Sequence, residues 1–238
     1  MLLGNRLKLG GTIPSGFSPT EISDLLRWGK PSEATTINAG SPTDGDPVTT
    51  SGDLSVSGND LTQSSGLNKM LWKTTYLESI DANDHLESAS TDFNFGDEDF
   101  SVVIKVNFDV LGDTFIAGKY LSPSNYSYLL FIGGTTVYGQ ISSNGTSVTQ
   151  LQTSYSITAG TDYVFAMVHD SVANVLKISV NGDAFELKAH GGGAFASSTE
   201  PYQVGFPSLS VNGKIYEDFV YGKALSIEEV NQLVTYLS

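Results

Sequence analysis

Apolar residues recur at every second position along much of the chain after Lys69. The clearest run covers residues 101–108, where Val102, Ile104, Val106 and Phe108 are spaced by two, which predicts a strand with one buried face. The predicted strands are Met70–Thr74, Tyr76–Asp81, Asp84–Glu87, Ser101–Phe108, Thr114–Lys119, Tyr126–Ile132, Thr136–Ser142, Val148–Thr153, Thr161–His169, Val175–Val180, Ala184–Lys188, Tyr202–Gly205 and Lys214–Tyr221. Many short strands at regular spacing favour an antiparallel β-sandwich.

Helical signals occur only near the two ends. Ser18–Glu21 matches a capping box with proline at the first helical position, and it predicts a helix from Pro19 to Trp28. Ser226–Glu229 is a second capping box. It precedes apolar residues that share a helical face, namely Val230, Leu233, Val234 and Leu237. Asn181-Gly182, between two predicted strands, favours a type I′ hairpin, and Asn144-Gly145 resembles it.

The chain is therefore predicted to be all-β, an antiparallel sandwich with two short terminal helices and an extended N-terminal arm. We assign residues 1–17 to the arm, 18–69 to a short helix plus a loop-rich lead-in packed on the sandwich, and 70–238 to the sandwich itself. The arm is expected to dock on a neighbouring subunit. Its predicted interface residues are Leu2, Leu3, Leu7, Leu9, Ile13 and Phe17.

Charge and composition exclude several classes of function. The 238 residues include 12 Lys and Arg against 26 Asp and Glu, a net charge of −14, so we expect no nucleic-acid partner. Cysteine is absent, which excludes disulfides and thiolate metal sites. No apolar run approaches the roughly 20 residues of a membrane span. Residues 1–11 do not form a signal peptide, so synthesis in the cytoplasm is expected.

The last strand and the helix after it carry the most specific family resemblance. Residues 213–230 resemble the closing pattern G-x-I-x-E-x-x-x-Y-x-x-A-L-S-x-x-E of the concanavalin A-like lectin/glucanase superfamily, in its laminin-G-like jelly-roll group. Residues 100–106 resemble the first long strand of that group, and residues 161–182 its central hairpin. The resemblance covers residues 70–238 and implies a jelly roll. The superfamily includes lectins, glycosidases, adhesion modules and structural domains, so the fold does not determine the activity.

The lead-in is similar to a segment found in bacteriophage and bacterial surface proteins of the same group. Residues 44–63 match its pattern D-G-x-x-V-x-x-W-x-D-x-S-G-N-G-N-x-x-x-Q, with Ser51 near the tryptophan position and Val56 interrupting the Ser-Gly pair. This resemblance implies a bacteriophage virion protein, made in the host cytoplasm and assembled into the particle.

Enzymatic chemistry finds little support in the residues. Glucanases of the superfamily use an E-x-D-x-E or E-x-D-x-x-E strand, and retaining hydrolysis needs two carboxyls about 5–5.5 Å apart; the chain contains no E-x-D triplet. Glu217 and Asp218 are adjacent, so a strand directs them to opposite faces, one into polar contacts and one into solvent. The three histidines, His85, His169 and His190, are scattered and predict surface or hydrogen-bonded side chains and no zinc site.

Two ligand classes remain open. Structural calcium is an option, because Ca²⁺ takes 6–8 oxygens and acidic clusters could supply some of them; no other cofactor is expected. The candidates are Asp44, Asp46, Asp81, Asp84, Asp97 and Asp99. Sugar binding would use exposed aromatic residues, although most tyrosines in a sandwich are half-buried packing. The candidates are Tyr120, Tyr126, Tyr138 and Tyr202.

We therefore expect a non-enzymatic structural protein of a bacteriophage virion, a capsid decoration or tail component whose partners are other virion proteins and copies of itself. The alternative is a carbohydrate-binding adhesin or receptor-binding tail protein that recognises host surface glycans. A third hypothesis is an inactive or novel hydrolase.

Overall fold

The computed structural model describes residues 16–121, 125–193 and 199–238. Within these ranges the strands, numbered in chain order, are β1 (Leu25–Gly29), β2 (Thr50–Ser51), β3 (Leu61–Thr62), β4 (Leu71–Lys73), β5 (Tyr76–Ser79), β6 (Leu86–Ser88), β7 (Phe100–Phe108), β8 (Thr114–Leu121), β9 (Asn125–Gly133), β10 (Thr136–Ile141), β11 (Thr149–Ser156), β12 (Asp162–Asp170), β13 (Val175–Val180), β14 (Glu186–Ala189), β15 (Tyr202–Val204) and β16 (Gly213–Tyr221). Helix α1 spans Ile227–Tyr236, and single 3-10 turns occupy Pro19–Glu21, Ala34–Thr36 and Thr91–Phe93. No helix in the described ranges is long and apolar enough to cross a bilayer.

Two antiparallel sheets of eight strands each form the sandwich. The first sheet has the order β14-β13-β12-β7-β16-β5-β4, and β1 pairs with β16 as its eighth strand. The second sheet has the order β11-β10-β9-β8-β15-β6-β3-β2. The all-β antiparallel sandwich expected from the sequence is therefore confirmed, and its strands begin and end close to the predicted boundaries.

An apolar core fills the space between the sheets. Residues at alternate positions of the facing strands supply it, as the period of two requires. Phe100, Phe108, Phe165 and Ile104 belong to this core and are fully buried. The sequence predicted one buried face for β7, but Val103 on the opposite face is also fully buried. It belongs to a second apolar cluster on the outer surface of the first sheet.

Helix α1 covers that outer surface and creates the second cluster. The predicted capping box starts it: Ser226 Oγ accepts from the Glu229 N–H at 3.2 Å, and a Glu229 carboxylate oxygen accepts from the Ser226 N–H at 2.9 Å. Val230 and Leu233 are fully buried against the sheet. Part of the outer face of the first sheet is thus buried by the protein's own chain.

The helix predicted from Pro19 to Trp28 is wrong beyond its first turn. Ser18 does cap the turn at Pro19–Glu21, with both capping-box bonds present. Asp24 then takes a left-handed backbone conformation (φ 63°), and β1 follows it with alternating burial. Pairing with β16 fixes this period of two, because an edge strand gains both ladder hydrogen bonds and core contacts. Two terminal helices were expected; within the described ranges α1 is the one α-helix, and the N-terminal candidate is reduced to a single 3-10 turn.

A buried ion pair joins the lead-in to β16. Arg27 in β1 is completely buried and donates to both carboxylate oxygens of Asp218, from Nε at 2.6 Å and from Nη2 at 3.2 Å. Its Nη1 donates to the Asn59 carbonyl at 2.9 Å. Gly29 is required beside this pair, because a Cβ there would lie 2.0 Å from an Asp218 oxygen. The lead-in therefore supplies strands to both sheets and neutralises a carboxylate of β16.

Asp53 explains the polar pattern of the lead-in. Its carboxylate accepts from the backbone N–H groups of Trp28, Ser55 and Asn59 at 2.7–2.8 Å. These bonds close the loop between Asp53 and Asn59 and tie it to β1, while Val56 stands at its exposed tip. The polar residues of this segment therefore stabilise the attachment of the loop to β1.

Candidate functional site

The outer surfaces of the two sheets differ in what covers them. On the first sheet, α1 and the residues before β1 bury an apolar cluster. On the second sheet, the outer surface of β8, β9, β10 and β11 is not covered by any helix in the described part of the chain. Half-buried aromatic side chains nevertheless line this surface. Exposed large apolar patches mark interaction sites more often than scattered apolar residues do.

We define the aromatic face by five side chains on β8, β9 and β10. Strand register brings them together: Phe131 lies opposite both Phe115 and Tyr138, and Tyr120 lies opposite Tyr126. The ring centroids of Phe131 and Tyr138 are 4.9 Å apart and nearly parallel, and those of Tyr120 and Tyr126 are 4.7 Å apart. Phe115 joins the two pairs, 5.7 Å from Phe131 and 4.8 Å from Tyr120. The five rings form one continuous surface.

Amide side chains border the aromatic face on β10 and β11. Gln140 Nε2 donates to Gln150 Oε1 at 2.6 Å across the strand pair. Gln152 lies opposite Tyr138 and is exposed. Each amide offers two donor hydrogens and an acceptor oxygen. The face therefore combines flat apolar rings with groups that can both give and accept hydrogen bonds.

A shallow depression marks one end of the aromatic face. It encloses about 460 Å³ and is broadly open to solvent. Its lining residues are Asp113, Phe115, Phe131, Gly133, Tyr138, Gln150 and Leu209. Its volume is within the range of about 300–1,000 Å³ that is usual for small-molecule sites.

Three of the four predicted sugar-binding tyrosines lie together on this surface. Tyr120, Tyr126 and Tyr138 are all half-buried members of the aromatic face. Tyr202 is the exception and corrects the prediction: it is fully buried in the core, with its ring centroid 4.6 Å from that of Phe93. Strand β15 lies between β8 and β6 and turns this ring inward, so Tyr202 cannot reach a ligand.

Sequence reasoning missed Phe115, Phe131 and the glutamines. The signal was nevertheless present, because Gln150 and Gln152 alternate with the buried Leu151 in β11. Outward positions that carry aromatic rings or amides, where charged residues would be usual, distinguish a binding surface from a solvated one. The cross-strand register that places Phe115 opposite Phe131 could not be predicted from the sequence pattern of either strand.

The predicted calcium ligands are spread over separate loops. Asp84 accepts from the Ile80 and Asp81 N–H groups, and Asp99 accepts from the Ser171 N–H and hydroxyl. The remaining candidates are Asp44, Asp46, Asp81 and Asp97; Asp46 accepts from the Thr43 N–H and Asp81 from the Asn83 N–H. Within the described ranges, no three or more His, Asp or Glu side chains are grouped so as to hold a metal ion.

Glu217 and Asp218 do point to opposite faces of β16, as predicted. Asp218 faces the core and binds Arg27, whereas Glu217 faces the layer under α1. The expectation that one of them is solvated is wrong, because Glu217 is half-buried and accepts from Trp28 Nε1 at 2.9 Å. Burial raises the pKa of Glu217, and the Trp28 hydrogen bond opposes that rise.

The histidines make hydrogen bonds, as expected. His85 is buried beside Gln63, with the two side chains 2.9 Å apart. His169 and His190 pair directly, with 3.0 Å between their Nε2 atoms. Burial lowers the pKa of both members of this pair.

The predicted interface of the arm falls almost entirely outside the described residues. Leu2, Leu3, Leu7, Leu9 and Ile13 lie there. Phe17 is described: it is half-buried on the second apolar cluster, with its ring centroid 6.2 Å from that of Tyr236 in α1. Docking of the arm on another subunit stays a prediction.

No protein-family model matches the chain, and no curated protein matches it in sequence. Solved structures do match its fold. The binding domain of Paraclostridial mosquitocidal protein 1 superposes with a TM-score of 0.63 at 12% identity, covering 90% of this chain and 52% of that one. The binding domain of botulinum neurotoxin DC in complex with SialylT gives 0.57 at 13% identity, covering 91% and 52%.

The botulinum neurotoxin serotype D ligand-binding domain in complex with N-acetylneuraminic acid gives a TM-score of 0.59 at 13% identity, covering 78% of this chain and 48% of that one. The chain thus spans about half the length of the structures it resembles. At these identities the likeness shows the fold alone, a β-sandwich.

Proposed function

We propose that this chain is a glycan-binding module and that it binds saccharides on the aromatic face without catalysing their hydrolysis. The observation that carries the proposal is the continuous row of half-exposed rings on a sheet surface that no described helix covers. The apolar faces of sugar rings stack on Tyr and Phe, and sugar hydroxyls pair with amides and phenols. Rigid amphipathic side chains provide such contact at low conformational cost.

Structural similarity supports the alternative that the sequence offered, recognition of surface glycans. The similar structures include a neurotoxin domain in complex with SialylT and another in complex with N-acetylneuraminic acid. A non-enzymatic role agrees with the chemistry of the depression, where Asp113 is the one carboxylate among the lining residues. Retaining hydrolysis requires a pair of carboxyls about 5–5.5 Å apart.

The bacteriophage origin and the virion role stay predictions of the sequence. They depend on the arm and on the resemblance of residues 44–63. A receptor-binding part of a particle would use the same aromatic face, so glycan binding and a place on a virion are compatible.

Substitution on the aromatic face tests the proposal. Tyr138→Ala and Phe131→Ala should each weaken binding about tenfold, because an aromatic contact contributes about 0.5–1.5 kcal/mol beyond its buried area and 1.4 kcal/mol is a factor of ten. A glycan array identifies the ligand, and calorimetry on the full chain then measures the change. The matched control is Tyr76→Ala, since Tyr76 is a half-buried ring on the first sheet that contacts Tyr216.

Equal affinity in the Tyr138→Ala variant and the unaltered chain would remove the aromatic face from the binding site. If the unaltered chain binds no glycan and instead sediments as a dimer that Tyr138→Ala dissociates, the aromatic face is a subunit interface and the proposed function is wrong.

A further inference from the structure

We propose that the glycan bound on the aromatic face is uncharged, a neutral saccharide lacking sialic or uronic acid groups. This inference rests on the proposed function and specifies the class of ligand. It follows from where the chain places its cations and from the polar groups that it offers on the aromatic face.

Positive charge is concentrated on the first sheet. Ten of the chain's 12 Lys and Arg residues are described, and nine of them lie within a strand of the first sheet or within two residues of one. These nine are Arg27, Lys30, Lys69, Lys73, Lys105, Lys177, Lys188, Lys214 and Lys223. Several already have anionic partners in their own sheet, as Lys177 has in Asp170 at 2.8 Å.

Lys119 is the tenth, and it does not face the ligand surface. It lies in β8 of the second sheet but is only 3% exposed. Its register partner is Tyr128, a member of the core between the sheets. Ala117, two residues before it, belongs to the same core, and alternation along the strand places residues two apart on the same side of the sheet. In the described ranges, therefore, the aromatic face presents no cationic side chain.

A carboxylated sugar would need such a cation. Carboxylates are recognised by charge-assisted hydrogen bonds from Arg or Lys, which are about twice as strong as neutral ones. The depression instead contains the exposed Asp113, and the whole chain carries a net charge of −14. An anionic saccharide would meet a like charge there, which opposes its binding.

The polar groups that are present suit hydroxyls. Gln140, Gln150 and Gln152 carry neutral amides, and Tyr120, Tyr126 and Tyr138 carry phenols. A sugar hydroxyl both donates and accepts a hydrogen bond, as does each of these groups. The match is with a neutral sugar, in contrast to the N-acetylneuraminic acid bound by one of the similar structures.

Matched pairs of saccharides test the inference on the full chain. The pairs are lactose with 3′-sialyllactose, methyl-esterified polygalacturonate with polygalacturonate, and xylohexaose with a glucuronic acid-substituted xylo-oligosaccharide, each titrated by calorimetry at low and high NaCl. Within a pair, the neutral member should bind at least about tenfold more tightly, because a juxtaposed like charge costs that much or more. Its affinity should change less than about twofold with salt, since no ion pair is screened.

Tighter binding of an acidic member, weakened by salt, would overturn this inference while leaving glycan binding in place. Failure of both members of every pair to bind would count against the proposed function itself.

An added charge provides a converse test. Gln152→Lys places a cation beside Tyr138 and should raise the affinity for the acidic member of a pair about threefold to tenfold relative to the neutral one. Leu187→Lys is the control, because Leu187 is 60% exposed in β14 of the first sheet and the variant has the same net charge. An equal gain in both variants would show that overall charge, and not the chemistry of the aromatic face, selects the ligand.

Discussion

His169 and His190 form a hydrogen-bonded chain whose proton positions follow from its two ends. The Gly192 N–H donates to His190 Nδ1 at 3.2 Å, so that nitrogen carries no proton. His190 therefore donates from Nε2 to His169 Nε2 at 3.0 Å. His169 in turn donates from Nδ1 to the Glu98 carbonyl at 2.9 Å. Both rings must be neutral for the chain to exist, because a proton on His169 Nε2 would oppose the His190 proton.

Stability should accordingly fall with acidification. Burial lowers the pKa of both histidines, while Asp97 opposes that change at both rings. The folded chain then binds fewer protons than the unfolded one. The contribution of the pair is complete above the unfolded histidine pKa of about 6.5 and is lost as the pH falls through the lower folded pKa. Urea unfolding between pH 7.5 and 5 measures this slope.

The variant His190→Gln should make that slope shallower, because it removes one titrating ring and the repulsion it exerts on protonated His169. A Gln amide can still donate to His169 Nε2, so the fold should persist. An unchanged slope in this variant would mean that other groups set the acid sensitivity.

At the scale of elements, β1 is held to β16 by more than its ladder. The Arg27–Asp218 pair lies between them, and Arg27 also donates to the Asn59 carbonyl of the lead-in. Pairs buried to this degree contribute little net stability when complete, yet removing one partner leaves an uncompensated charge in the core. The pair thus couples β1, the lead-in and β16 into one unit.

Asp218→Asn should lower the free energy of unfolding by about 3–5 kcal/mol, the usual cost of breaking a buried pair. The control is Asp109→Asn, which removes a carboxylate from an exposed pair with Lys214 and should cost at most about 1 kcal/mol. Chemical denaturation followed by tryptophan fluorescence compares the two. Equal losses in both variants would contradict the role assigned to the buried pair.

Strands and turns were predictable where the local sequence pattern favours the same structure as the tertiary contacts. The predicted strand Val175–Val180 matches β13, and the Asn181-Gly182 turn after it has positive φ at both residues, as a type I′ turn requires. The helix expected up to Trp28 failed because Ile22, Leu25 and Trp28 fit a helical spacing of three, and so short a run does not exclude a strand. Pairing with β16, distant in sequence, decides between them, and no local signal reports it.

The candidate site was predictable only in part for the same physical reason. Tyr120, Tyr126 and Tyr138 could be selected by residue type, but type alone also selected the buried Tyr202. The residues that lie side by side on a sheet surface are determined by the register between strands. Here the register places Phe131 between Phe115 and Tyr138. The alternation of apolar and polar residues shows which residues share a face of one strand. It does not show which face of the sheet is left uncovered by other elements.

At the scale of the whole molecule, the two sheets differ in what lies on their outer surfaces. The first sheet carries α1 on part of its outer surface, together with most of the described cations and the buried ion pair. The second sheet keeps its outer surface for the aromatic face. This difference depends on the lead-in, which contributes β1 to the first sheet and both β2 and β3 to the second.

Residues 70–238 alone should therefore fail to fold as a stable sandwich, although the family resemblance covers that range. Without the lead-in, Asp218 loses Arg27 and its charge stays uncompensated in the core. Strand β16 also loses its pairing with β1, whose Trp28 packs against Phe219. We expect a chain of residues 70–238 to lack a cooperative thermal transition in circular dichroism. A chain of residues 16–238 is the control: it retains every contact described above and should melt within a few degrees of the full chain. A cooperative transition in the shorter chain, at a temperature close to that of the control, would show that the lead-in is an accessory to a self-sufficient sandwich.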